Sequence, residues 1–256
     1  MDFALEPQGR RSHIRVETPS FLCDGALMLQ CFENFLEYGL NAEIYDWRQE
    51  DSGFAYSIET DGTKKGRVRL DVLIRPVSDG IELDTSVTNQ DTKIIDRILY
   101  NTCLQFKLAP DFHDGAGERT FVRVDDEWTP VLSLPILSGP KQYRRMQNYY
   151  VKGHRPDELE HGGFMGGWGF CPIPLSQAFM VKQSVRSDLA IGILWDRAFY
   201  ARSNMNDSHH CIHSQANLDD IPPGEMRRRS GKIFFAPDGL DKLYANAAAY
   251  FGFQGE

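Results

Sequence analysis

The chain has 256 residues, 41% hydrophobic and 25% charged, close to globular averages, so a disordered or fibrous protein is excluded. Its 28 basic and 36 acidic residues leave a formal net charge of −8, which argues against nucleic acid as a partner; the one dense basic run, Arg227-Arg228-Arg229, reads as a solvated strand edge. No apolar run reaches the roughly 18 residues of a membrane span, and the first residues lack the basic and apolar regions of a secretion signal, so no membrane partner and a cytoplasmic location are expected.

Five cysteines, Cys23, Cys31, Cys103, Cys171 and Cys211, are odd in number and widely spaced, with no C-x-x-C pair. Free thiols in a reducing compartment are the expectation.

Residues 20–38 predict a helix: Ser20 can cap it, and Leu22, Ala26, Leu29, Phe32, Phe35 and Leu36 recur at three- and four-residue steps. The period then changes to two. Residues 68–74 and 81–87 alternate apolar and polar around the turn Ser78-Asp79-Gly80, which predicts a hairpin with one buried face. Ile98, Tyr100, Thr102, Leu104, Phe106 and Leu108 continue the alternation. Residues 120–124 and 128–132 flank Asp125-Asp126-Glu127 as a second hairpin, and 179–185 leads through Arg186-Ser187-Asp188 into 189–195. That last run is apolar throughout, as suits a strand covered on both faces. Further strands are expected at 199–203, 209–213 and 232–235. A final helix from Asp238 carries the stripe Leu240, Leu243, Tyr244, Ala247 and Phe251. Strands do not alternate with helices, so a parallel doubly wound sheet is not expected.

Residues 138–176 are rich in glycine and proline and have no clear period. Irregular segments longer than about 12–15 residues are usually functional or disordered, and this one carries Tyr143, Tyr149, Tyr150, Phe164, Trp168 and Phe170, whereas disordered segments are poor in aromatics. An ordered wall of a binding site is expected, either packing its aromatics on the sheet or offering them, with Asn148, His154 and neighbouring arginines, to a ligand.

Two clusters could carry chemistry. Asp207-Ser208-His209-His210-Cys211-Ile212-His213 holds three of the seven histidines. On a strand His209, Cys211 and His213 share a face, where the imidazoles could pack, act as acid and base, or ligate a metal. Residues 110–120 place Asp111, His113, Asp114, Glu118 and Arg119 in a polar loop after a strand. Turn chemistry explains the Asp and Gly residues of this loop, and the functional alternative is Glu118 and Arg119 as a clamp for a substrate carboxylate or as an acid/base pair. Walker, G-x-G-x-x-G and G-x-S-x-G motifs are absent.

The strand IELDTSVTNQ (81–90) and the turn Pro222-Pro223-Gly224-Glu225 before Gly231-Lys232-Ile233-Phe234-Phe235 resemble the galactose-mutarotase-like β-supersandwich group, and the strand rhythm of residues 55–236 is similar. The resemblance implies carbohydrate binding on the concave face of a large antiparallel sheet. Aldose epimerases of that group use a histidine acid and a glutamate base, and related lyases use histidine, tyrosine and arginine.

The expectation is therefore a mainly β protein: one large antiparallel β-sandwich (supersandwich) spanning 1–256, with one N-terminal and one C-terminal helix. It would be a carbohydrate-active enzyme moving protons on a sugar or uronate, of epimerase or lyase type, the alternative being a non-catalytic carbohydrate-binding protein. His209 and His213 are the acid/base candidates, Tyr150 a second proton donor and Arg119 the anchor of an anionic group. Trp168, Tyr149, Glu118 and His113 are substrate-binding candidates. No cofactor is required in this reading, and in its variant His209, His213 and His113 hold a divalent metal. The partner is a small sugar or oligosaccharide.

Overall fold

The computed structural model describes residues 2–9, 13–20, 23–31, 45–60, 66–96, 98–135, 146–155, 168–205 and 209–253. Seventeen strands among them form two sheets. The first has eight strands: β1 (Ala4–Pro7), β2 (His13–Glu17), β3 (Ala26–Cys31), β8 (Leu99–Leu108), β16 (Cys211–Asn217), β15 (Ala198–Asn204), β11 (Met146–Tyr150) and β12 (Gly169–Phe170), in that spatial order. The second has nine: β10 (Glu127–Pro130), β9 (Thr120–Val124), β13 (Gln177–Gln183), β14 (Ala190–Trp195), β17 (Met226–Ala236), β7 (Gly80–Asn89), β6 (Val68–Val77), β5 (Gly53–Glu59) and β4 (Arg48–Glu50). All pairings are antiparallel except β11–β12.

The two-residue period sends every second side chain between the sheets. From the eight-stranded sheet these are Ile14, Val16, Leu27, Leu29, Tyr100, Leu104, Phe106, Ile212 and Ala216. Val72, Leu83, Met180, Ile193, Trp195 and Phe235 answer them from the other sheet, in one continuous core. The β6–β7 and β9–β10 hairpins form as their sequences predict, the latter through Asp125 and Asp126, which both take positive φ. Two consecutive left-handed residues match the twist of a tight hairpin, and Asp tolerates them.

The predicted C-terminal helix is α1 (Leu240–Phe251), closed by Gly252 in the left-handed region. Its Leu243 and Ala247 cover Phe179, Val181, Ala190, Leu194, Phe234 and Ala236 on the outer face of the nine-stranded sheet. This is why β14 is apolar on both faces. No helix among the described residues is long and apolar enough to cross a membrane.

The predicted N-terminal helix is corrected. Its described part holds strand β3, paired with β2 and β8, while 21–22 and 32–38 lie outside the described residues. Ala26-Leu27-Met28-Leu29 is a continuous apolar run, which fits a strand buried on both faces as well as one side of a helix, and pairing on both edges settles it as strand. The described parts of 138–176 also differ from an irregular segment: β11 and β12 lie there, and Val151 bridges to Leu175, while 138–145 and 156–167, with Tyr143 and Phe164, lie outside the described residues. The Arg227–Arg229 run starts β17, where Arg229 is buried and donates to the Asn217 carbonyl and to Asp219.

Candidate functional site

The side chains of the eight-stranded sheet that point away from the core form a second, polar layer. Antiparallel register sets it out in rows. Gln30, Cys103, His213, Arg202 and Asn148 stand side by side across β3, β8, β16, β15 and β11, with Phe170 on β12 ending the row. The row on one side holds Met28, Gln105, Cys211, Asn204 and Met146. On the other side stand Asn101, Gln215, Tyr200 and Tyr150.

A sheet face turned away from its core is ordinarily solvated. Here Asn101, Gln105, Asn148, Arg202, Asn204, His213 and Gln215 are all buried. Burying polar side chains costs free energy unless they are hydrogen-bonded, so their partners define the site.

His213 is held at both nitrogens. Nδ1 lies 3.1 Å from Asn101 Nδ2 and Nε2 lies 3.1 Å from Cys211 Sγ. Arg202 Nε donates to Asn148 Oδ1 at 2.8 Å, and Asn148 Nδ2 donates to the Trp168 carbonyl at 3.0 Å. The Arg202 guanidinium lies 4.4 Å from the Trp168 ring centroid, and the indole meets His213 edge-on at 6.2 Å. Gln215 differs from all of these. It is fully buried, and among the described residues neither its amide oxygen nor its amide nitrogen has a hydrogen-bond partner.

Of the residues singled out from the sequence, the structure brings His213 and Trp168 together on this face. Tyr150 lies on the same face but packs with Phe170 and Tyr200 and donates its hydroxyl to the Pro172 carbonyl at 2.9 Å. Tyr149, next in sequence, points between the sheets, its hydroxyl 3.3 Å from Ser203 Oγ. His209 does not share the face of His213: it sits exposed in a turn, and His210 takes φ 45°, which breaks the alternation before β16 begins. His113 stacks on His210 with ring centroids 4.2 Å apart and lies 3.2 Å from the Phe106 carbonyl. Glu118 and Arg119 belong to the loop entering β9, on the other sheet, where Arg119 Nη1 donates to the Ser184 carbonyl at 2.6 Å.

Among the described residues, those whose ligand atoms converge are Cys103, Cys211 and His213, all buried, rather than His209, His213 and His113. Cys103, Gln105, Asn101, Arg202 and Gln215 were missed as site residues. Their signal was a second alternation: in Asn101-Thr102-Cys103-Leu104-Gln105-Phe106 the positions between the core residues are polar too.

No known family profile matches the sequence, and no curated protein matches it. Solved structures do share its fold. A galactose mutarotase related enzyme from Lactobacillus acidophilus superposes with a TM-score of 0.52 at 7% identity, over 93% of this chain and 98% of that one. An α-N-acetylgalactosaminidase from Bifidobacterium bifidum, in its GalNAc complex, superposes with a TM-score of 0.54 at 12% identity, over 100% of this chain. This chain spans only 39% of that enzyme. Two facing sheets, a polar layer on the outer side of one of them and these superpositions give the chain the β-supersandwich fold of galactose mutarotase-like proteins.

Proposed function

We propose that the chain is a carbohydrate-active enzyme that holds a small sugar on the polar face of its eight-stranded sheet and moves a proton on it. The observation that carries this reading is Gln215. A fully buried carboxamide with both ends unpaired costs roughly 1–3 kcal/mol for each unsatisfied group, and it stands beside Asn101 and Tyr200, one row from His213 and Arg202. A carboxamide gives and takes a hydrogen bond in one plane, as a pair of sugar hydroxyls requires.

Trp168 supplies a flat apolar surface, and Arg202 and Asn148 supply fixed donors beside it. His213 is the imidazole at the centre of the floor, a side chain that serves either as a proton carrier or as an ion ligand. The shared fold adds support but does not name a reaction, because one fold hosts many chemistries.

Calorimetric titration of the wild type and Gln215→Leu with neutral sugars, uronates and unsaturated uronates tests the binding. One sugar class is expected to bind, with affinity reduced roughly tenfold or more in the variant, about one hydrogen bond's worth to a polar ligand. The variant's melting temperature should hold or rise, since leucine removes unsatisfied buried groups. Binding by no sugar, or equal binding by both proteins, would remove this face from the reading. Incubating the bound sugar in D2O then tests proton transfer at carbon, and polarimetry tests anomeric interconversion, which moves protons only between oxygens. Binding with neither means a carbohydrate-binding protein.

A further inference from the structure

We infer that Cys103, Cys211 and His213 form a binding site for Zn2+ at the floor of this polar face. Register builds it: Cys103 on β8 stands directly opposite His213 on β16, and Cys211 lies two residues before His213 on the same side of the strand. The two sulfurs and one imidazole nitrogen all lie within 4.8 Å of one another, and Cys211 Sγ is 3.1 Å from His213 Nε2. In a tetrahedral zinc site, bond lengths of roughly 2.0–2.3 Å put the ligand atoms about 3.5–3.8 Å apart. Small side-chain movements therefore close this set around one ion.

The donor chemistry selects the ion. Thiolate and imidazole suit zinc and similarly soft metals, whereas calcium and magnesium take oxygen ligands. Charge points the same way. Each of the three residues is at most 1% exposed, and burying charge is costly unless it is compensated. Two thiolates, one neutral imidazole and one divalent cation sum to zero, so loading the site adds no net charge to the interior.

The neighbour of the ligand is suited as well. A histidine that binds through Nε2 carries its proton on Nδ1 and gives it to an acceptor. The Asn101 carboxamide is 3.1 Å from Nδ1. A half-turn of that amide, indistinguishable by shape, presents its oxygen there. Among the described residues no fourth His, Cys, Asp or Glu joins the group. Three protein ligands with an open position are the arrangement of zinc sites that bind water or substrate.

The ion's binding stands on these ligands alone. Its use rests on the sugar reading above: an oxygen of the bound sugar, or a water beside it, would take the fourth position and become more acidic there.

Co2+ is the probe, added to full-length, reduced, chelator-treated protein. One equivalent is expected to produce the near-ultraviolet thiolate-to-cobalt charge-transfer band and the intense visible bands of a four-coordinate ion, both bleached by Zn2+. Cys103→Ser and Cys211→Ser should each weaken binding by more than the roughly 10–100-fold that even an outer-shell change costs. Cys171→Ala, a buried cysteine facing the core instead, should leave the spectrum unchanged. A wild type without the charge-transfer band overturns the site, whatever the variants do, and so does a band that survives Cys103→Ser. A Cys211–His213 pair that binds no metal would give no cobalt spectrum and would react with iodoacetamide at a rate Zn2+ does not alter. Sugar titration of both metal-free and zinc-loaded protein is a separate readout: failure of both with the cobalt band present removes the sugar and keeps the ion, and sugar binding without a cobalt band removes the ion.

Discussion

The Arg202 guanidinium lies over the Trp168 indole, 4.4 Å from its centroid, and Asn148 ties the two together by accepting from Arg202 Nε and donating to the Trp168 carbonyl. Strands β15 and β11 and the residue before β12 thus hold one indole plane in place. A desolvated cation–π contact is worth about 2 kcal/mol, and only a planar guanidinium stacks and donates at once. Trp168→Ala is expected to weaken sugar binding roughly tenfold or more, and Arg202→Lys by several-fold, in isothermal titration. Retained affinity in Trp168→Ala would place the binding surface elsewhere.

Asp114 organises the loop that carries Glu118 and Arg119. Its two oxygens accept from the backbone N–H groups of Gly117, Glu118 and Arg119 and from the Thr120 hydroxyl, each at 2.9 Å. Hydrogen bonds to a buried charge are worth about 1.5–3 kcal/mol each and are not additive. Asp114→Ala should lower the melting temperature by about 10 °C, since a domain of this size loses about 2–4 °C per kcal/mol. Asp114→Asn should fall between, because its amide nitrogen cannot accept the bonds made to that oxygen. A shift under a degree or two would mean the loop holds itself.

Most of the β architecture was legible because its signal is local. The alternation in β6, β7 and β8 and the two-sided apolar run of β14 follow from which faces they bury. Segment 20–38 was misread because a helix period fits the apolar residues chosen there, while the pairing of β3 with β8 joins residues more than seventy positions apart. No local pattern encodes that. β11 was hidden by the glycines around it, since its partner β15 follows some fifty residues later.

The site was legible only in part, for the same reason. His213 and Trp168 stand out as residue types, but their neighbours Cys103 and Arg202 become site residues only through register. His209 was drawn in by extrapolating an alternation that His210 ends with a single left-handed residue. Asn, Asp and His adopt that conformation more readily than most residues, so nothing in the sequence forbade it.

Gly231 on β17 marks how tightly the core side of the nine-stranded sheet is packed around Trp195, its register partner on β14. A Cβ on it would stand 2.5 Å from the Trp195 indole, whose ring also meets Tyr100 edge-on at 4.9 Å. Overpacking a core costs about 1–3 kcal/mol. Gly231→Ala is expected to shift the denaturant midpoint down with an unchanged slope, and the paired Gly231→Ala/Trp195→Phe change to recover part of that loss. An unshifted midpoint in the single variant would show that the indole has room to move.

Lys182 is fully buried on the core side of β13. Its ammonium donates to the Phe112 carbonyl and the Thr120 hydroxyl at 3.2 Å, with the Met205 sulfur at 3.5 Å. Burial pushes it down from 10.5 to about 8, against the opposing pull of Asp114 and Cys211. That displacement corresponds to a folding cost of roughly 3 kcal/mol. Below about pH 8 the group is protonated folded and unfolded alike, so the whole cost is present. Between about pH 8 and 10.5 the unfolded chain holds a proton that the folded one has released, so this residue's contribution to stability rises with pH. Lys182→Met keeps the length of the side chain, removes the charge and leaves Asp114 its four donors. The variant is expected to match or exceed the wild type in stability at neutral pH, with the difference narrowing in denaturant titrations as pH is raised towards 10. Groups common to both proteins cancel in that comparison. A variant less stable at neutral pH by a margin that pH does not change would mean that the two hydrogen bonds outweigh the burial of the charge.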